Sequence, residues 1–325
     1  MQRRAFSVLF ASALSAFVAG AARAQAWPNR PVRFILSQAA GSGPDNVARV
    51  LAEPMQRALG QAIVIDNKPG GQNVIGAQAA ARATPDGYTF YFATAAALVS
   101  NAYLVKSLPY DPLKDFAPVS FIGSSPFCLV VAAAAPSKEL ADFVGQARAM
   151  PNTISIATEG AKTFGGITAR LLNARAGLQA KLVAYSAVGA ALQDVLGGHA
   201  DAALVDIASA AQLVRQGRLR MLAVTSPKRV VGWEAVPALA EVFAGFDMVG
   251  WLALVAPAGT PPSLIERLNE ATTLALADKE TASRIQAIGP HLDSIALSST
   301  QLRQFLRAEH ERWARIASDI GLLPE

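Results

Sequence analysis

Short runs of β-branched and aliphatic residues alternate along this chain with longer stretches whose apolar positions recur at helical spacing. The runs at 32–36, 63–65, 89–93, 127–131, 153–157, 181–184, 202–205, 219–225 and 251–255 predict strands. Between the first two, Val47, Leu51, Met55 and Leu59 mark one face of a helix, and similar alanine-rich segments fill the other intervals. Strands of four to seven residues separated by helices predict an α/β protein with mainly parallel sheets covered on both faces.

Two of the strands share a sequel, which predicts two lobes. The run Phe127-Cys128-Leu129-Val130-Val131 passes through Ala135-Pro136-Ser137 into a helix over 138–149. The run Trp251-Leu252-Ala253-Leu254-Val255 passes through Ala256-Pro257-Ala258-Gly259-Thr260-Pro261-Pro262 into a helix over 263–277. We read these as two crossover strands lying side by side. Residues 25–125 with 251–325 then form lobe one, and residues 126–250 form lobe two. A C-terminal helix over 300–319 returns with Leu302, Phe305, Leu306, Trp313 and Ile316 as a stripe expected to be core packing.

Candidate chemistry sits at the carboxyl ends of the strands, where open α/β sheets place their ligands. The stretch from Ser37 through Gly41-Ser42-Gly43-Pro44-Asp45, and the turn at Asn67-Lys68-Pro69-Gly70-Gly71, are both glycine-rich and both follow a strand and open a helix. Such turns aim backbone N–H groups at one point, where the helix dipole adds partial positive charge, so they can cradle a carboxylate or phosphate. Alternatively, the glycines only permit tight turns. Ser37, Gly41, Ser42 and Gly43 are the cradle candidates. Asp45 is expected to cap the following helix, since a carboxylate facing an anion would repel it. Gln38 can donate or accept, or simply face solvent. In the second lobe the loop from Thr158 to Phe164 contributes Glu159, Lys162 and Thr163, and the later strands end at Tyr185-Ser186 and Asp206. Thr94, Thr158 and Ser186 are small hydroxyls at strand ends, and Phe164 either encloses a ligand or joins the core. Lys162 either pairs with a carboxylate or is solvated. Glu159 and Asp206, if both face the cleft, disfavour a purely dianionic ligand unless Lys162 offsets them, and suit one with an amine, amide or hydroxyl end.

Composition narrows the setting. Residues 1–24 carry Arg3 and Arg4, an apolar stretch and Ala22-Arg23-Ala24, the pattern of a cleaved export signal that predicts a periplasmic protein. The chain has 29 basic and 24 acidic side chains, and three of the arginines lie in that segment, leaving 26 against 24. No basic run with interleaved aromatics appears, so nucleic acid is not an expected partner. Cys128 is the one cysteine and falls in an apolar run, where a buried small residue is expected rather than a nucleophile. His199, His291 and His310 lie far apart, position 314 is Ala where a zinc-protease helix would carry a second histidine, and Gly41-Ser42-Gly43 lacks a nucleophile-elbow pattern. No enzyme, metal site or cofactor is expected.

The order and spacing of Trp27-Pro28-Asn29-Arg30-Pro31-Val32-Arg33, Gly41-Ser42-Gly43-Pro44-Asp45, Asn67-Lys68-Pro69-Gly70-Gly71, Pro85-Asp86-Gly87-Tyr88-Thr89, Leu108-Pro109-Tyr110-Asp111-Pro112, Leu222-Ala223-Val224-Thr225-Ser226 and Ala256-Pro257-Ala258-Gly259-Thr260-Pro261 resemble the Bug/TctC family of periplasmic solute receptors. The resemblance runs almost end to end. It implies a type II periplasmic-binding-protein fold and a non-enzymatic receptor, and we expect a monomer. Such a receptor passes a small organic acid to the integral-membrane subunits of a tripartite tricarboxylate transporter, or acts as a sensor for a membrane kinase. It further implies that one carboxylate is held in lobe one by backbone N–H groups of the loop from Ser37 through Gln38 and Ala39 to Asp45 and of the turn at Thr94-Ala95. Thr158 to Phe164, Tyr185-Ser186 and Asp206 would then read the rest of the ligand. The chain departs from the family with Ser37-Gln38 in place of a Pro-Phe pair and Gly166-Ile167 in place of His-Leu, which leaves the ligand open.

Overall fold

Nine of the apolar runs become strands, joined by helices that cover them. The computed structural model describes residues 27–289, 292, 297–319, 322 and 324. The export segment expected over residues 1–24, and His291, therefore lie outside the described residues. In chain order the elements begin β1 (Val32–Leu36), α1 (Gly43–Leu59), β2 (Ile63–Asn67), α2 (Val74–Ala81) and β3 (Thr89–Thr94). A π-helical turn (Ala96–Ser100) runs directly into α3 (Asn101–Leu104). Next come β4 (Phe116–Ala132), α4 (Leu140–Ala149), β5 (Ser155–Thr158), α5 (Phe164–Ala176), β6 (Lys181–Ala184), α6 (Val188–Leu196), β7 (Ala202–Asp206), α7 (Ile207–Arg215) and β8 (Leu219–Val224). The chain closes with β9 (Val249–Pro257), α8 (Pro262–Ala277), α9 (Lys279–Ile288) and α10 (Ser299–Asp319).

The strands hydrogen-bond in the order β2-β1-β3-β9-β4-β7-β5-β6, with β8 also on β4. The two wings are parallel, as the strand–helix alternation predicts: β1 with β2 and β3, and β5 with β6 and β7. Every ladder that involves β4 or β9 is antiparallel, so the sheets are mixed rather than simply parallel. The cause is topological, because a strand arriving from the opposite half enters the sheet from the other end.

Strands β4 and β9 lie side by side, and β4 is far longer than the run at 127–131 suggests. Its first eleven residues pair with β9 in one half, and Phe127 to Ala132 pair with β7 and β8 in the other. The added stretch carries Pro118, Gly123 and Pro126, residue types that disfavour a regular ladder. The register shifts between Pro118 and Ser120 and again between Phe121 and Gly123, so bulges accommodate Pro118 and Gly123, while Pro126 stays in register opposite Val249, at the point where β4 passes from β9 to β7.

Three apolar clusters hold this frame. One lies under β1, α1, α8 and α9, with Phe34, Phe90, Leu51 and Met55 fully buried. One fills the second half around Cys128, Val130 and Val205, and the cysteine is buried as its sequence context implies. The third runs through both halves and includes Leu302, Leu306 and Trp313 of α10, so the C-terminal stripe is core.

Candidate functional site

The carboxyl ends of β1, β3, β5, β6 and β7 face one another across a cavity of about 600 Å³, the size of a small-molecule site. Ser125, Gly250, Trp251 and Leu252 of the crossover strands also line it.

The loop after β1 supplies Ser37, Gln38, Ala39, Gly41 and Ser42 to the wall. Ser42 caps α1, its Oγ accepting from the Asp45 N–H at 3.4 Å. Asp45 points away from the cavity and braces the loop instead. Its carboxylate accepts from the Gly41 N–H (2.8 Å), Arg49 Nε (2.9 Å) and Asn67 Nδ2 (3.1 Å). Burial pushes its pKa up, but these donors outweigh burial and hold the carboxyl below its usual range. The N–H of Ser42 is taken by Ala39 O, and that of Gly43 by Ser209 Oγ from the other half. Three of the N–H groups expected to cradle an anion are therefore satisfied inside the protein, and Gly43 and Asp45 do not line the cavity. The N–H groups of Ala39 and Ala40 make no hydrogen bond with the described residues.

Thr94 and Ala95 end β3 beside this loop and open the π-helical turn, whose first N–H groups have no partner within the turn, as at any helix start. Ser37 is buried and its hydroxyl is engaged by Tyr91 OH. Gln38 donates through Nε2 to Asn73 Oδ1 at 2.9 Å, while its Oε1 is buried without a partner.

The turn after β2 also belongs to the wall, through Pro69, Gly70, Gly71, Gln72 and Asn73. The sequence marks it as a glycine-rich cradle but gives no reason to single out these side chains. Gln72 (φ 55°) and Asn73 (φ 78°) hold left-handed conformations, an unusual pair for non-glycine residues beside a cavity.

From the second half come Glu159, Thr163, Phe164, Tyr185, Ser186 and Asp206. Thr163 caps α5, accepting from the Gly166 N–H and donating to Gly160 O. Phe164 is both wall and core, since its ring meets Phe127 at 5.0 Å and Trp313 at 5.9 Å. Tyr185 donates its hydroxyl to Asp194 at 2.6 Å. Thr158 is buried beneath the loop, donating to Gly160 O, and neither it nor Lys162 lines the cavity. Asp206 caps α7: one oxygen accepts from the Ser209 N–H (2.9 Å) and the other from Ser209 Oγ (2.8 Å).

The electrostatics of the wall are one-sided. Glu159 and Asp206 both line it, and no Lys or Arg does among the described residues. Burial raises the pKa of Asp206, and burial reinforced by the Asp206 charge raises that of Glu159 to about 7. A carboxyl whose folded pKa lies above its unfolded value binds more protons when folded. Its contribution is complete below about pH 4.5 and lost as pH rises through about 7. The ligand-free protein is therefore expected to lose on the order of 1–2 kcal/mol across that window, after allowing for water reaching a half-buried group. Glu159→Gln should flatten this slope in urea denaturation at stepped pH; an unchanged slope would assign it to other groups.

Residues 47–322 match the TctC family, described as Tripartite tricarboxylate transporter family receptor. A UPF0065 protein of Bordetella bronchiseptica is 34% identical over 100% of this chain and 96% of its own length. Protein BugT of Bordetella pertussis is 32% identical over 94% of each. Among solved structures, R. palustris Rpa4515 with adipate superposes at a TM-score of 0.88, with 28% identity over 92% of this chain and all of that one. The fold is that of the periplasmic binding proteins of this group, which are receptors and not enzymes. With a family match over most of its length and relatives of this similarity, the chain belongs to the TctC family of transporter receptors.

Proposed function

We propose that the protein is an exported, monomeric receptor that captures a small carboxylate in the cavity between its halves and delivers it to the membrane subunits of a tripartite tricarboxylate transporter. The observation that carries this reading is the convergence of two backbone donor sites on one cavity, the Ala39-Ala40 segment and the start of the π-helical turn. Oriented amide dipoles stabilise an anion there without a buried cation and its desolvation cost. Rpa4515, which shares the fold, holds adipate. Residues 25–125 with 251–325 and residues 126–250 act as the two halves, hinged at β4 and β9, and open to admit the ligand.

Calorimetry and thermal shift on the chain from residue 25 onward, against a panel of mono- and dicarboxylates, test the reading. A cognate acid at a hundredfold excess over its Kd should stabilise the fold by about 2.7 kcal/mol. A panel in which no carboxylate gives saturable stabilisation would overturn it.

A further inference from the structure

The wall of the cavity carries a surplus of hydrogen-bond acceptors. Three buried oxygens in it have no donor among the described residues: Gln38 Oε1, Gln72 Oε1 and Glu159 Oε2. Such orphans are rare in folded proteins and mark places where a bound group completes the bonding. Glu159 is the most telling of the three: its carboxylate draws on its own N–H and that of Gly165 at the start of α5, Oε2 still lacks a donor, and the ionised group can only accept. Asp206 adds a second negative charge, yet its own oxygens are occupied by Ser209, so it supplies field rather than contact. Lys162 shares the Glu159 loop but does not line the cavity. A second ligand carboxylate placed at this end would meet two acids across a poorly screened space.

We infer that the end of the ligand remote from its bound carboxylate is a hydrogen-bond donor, a hydroxyl, carboxamide or ammonium group read by Glu159, and that diacids are selected against. This rests on the carboxylate-receptor reading above and names the substrate class within it. A group of that kind satisfies the orphan Glu159 oxygen and brings no charge repulsion. A carboxylate does neither.

Isosteric pairs that change only the far end make the test: succinate against succinamate and adipate against adipamate, with 4-hydroxybutyrate and 4-aminobutyrate as donor-ended acids. Titration calorimetry is run on the chain from residue 25 onward at pH 8, above the value of about 7 to which burial raises the Glu159 carboxyl. The donor-ended member of a pair should bind at least tenfold more tightly than its diacid. Glu159→Gln, whose amide can donate to a carboxylate, should shrink that ratio to about threefold or less, while its circular dichroism and ligand-free melting cooperativity report an intact fold. Diacids that bind as well as or better than their half-amides would overturn the inference and leave the carboxylate reading standing. A preference that survives Glu159→Gln would also overturn it. Failure of every acid to bind would instead overturn the underlying reading.

Discussion

Replacing Trp313 by alanine should cost about 3–5 kcal/mol of stability, the range for truncating a large buried aromatic. The indole is fully buried on α10 and packs edge-on against Phe164, which in turn packs on Phe127 at the point where β4 crosses between halves. Removing it leaves a void that side chains anchored on different elements cannot close together. The same helix is fastened elsewhere by buried and half-buried polar contacts. Trp251 Nε1 donates to Glu309 Oε2 at 3.0 Å, Tyr103 OH donates to His310 O at 2.6 Å, and His310 Nε2 lies 2.8 Å from Leu98 O. The C-terminal helix thus ties a crossover strand, the π-helical turn and the Phe164 wall into one unit. Because Phe164 and Trp251 both face the cavity, ligand affinity should fall along with stability. Urea denaturation gives the first quantity and calorimetry the second. A loss below about 1 kcal/mol would show that α10 is a peripheral addition and not part of the cross-half core.

Much of this frame is legible in the residues because local signals agree with the global fold. The runs at 32–36, 181–184 and 202–205 are short, apolar and bounded by turn residues, and each becomes a strand within a residue of its expected place. The pairing of β4 with β9 is likewise readable from their shared sequel. What hides the first part of β4 is a set of true local conflicts, Pro118 and Gly123 above all, which are resolved by bulges that only tertiary pairing creates. The site divides along similar lines. Spacing places the loop from Ser37 to Ser42 at the end of β1, and so at the cavity. It cannot say which N–H groups are already bonded, since the acceptors for Gly41 and Gly43 are Asp45 and Ser209, one nearby and one far along the chain. Asp206 is equally opaque. Its carboxylate lies in the cavity wall and also caps a helix, and only the position of Ser209 reveals the second role.

Gly43→Ala is expected to weaken ligand binding by a factor of about 5 to 150 while changing the denaturation midpoint much less. Gly43 opens α1 in one half and meets α7 of the other, its N–H donating to Ser209 Oγ at 3.0 Å. A Cβ built there would fall 1.9 Å from Asp206 Oδ1, 2.8 Å from its Cγ and 3.0 Å from Ala208 Cβ. Asp206 cannot simply swing aside, because both its oxygens are committed to Ser209 and losing that cap costs about 1 kcal/mol by itself. Overpacking of this kind costs about 1–3 kcal/mol, and here it arises only when the two halves are in contact. Under the hinged reading the open form carries no such clash. The penalty then acts on the closed, ligand-holding state and appears as lost affinity. The double variant Gly43→Ala/Asp206→Ala separates this from a local effect on α1, because removing the obstructing carboxylate should restore part of the binding, with a coupling well beyond additivity. Calorimetry on the two single variants and the double variant completes the cycle. If Gly43→Ala binds as tightly as the unsubstituted protein, contact between α1 and α7 is not a condition for holding the ligand.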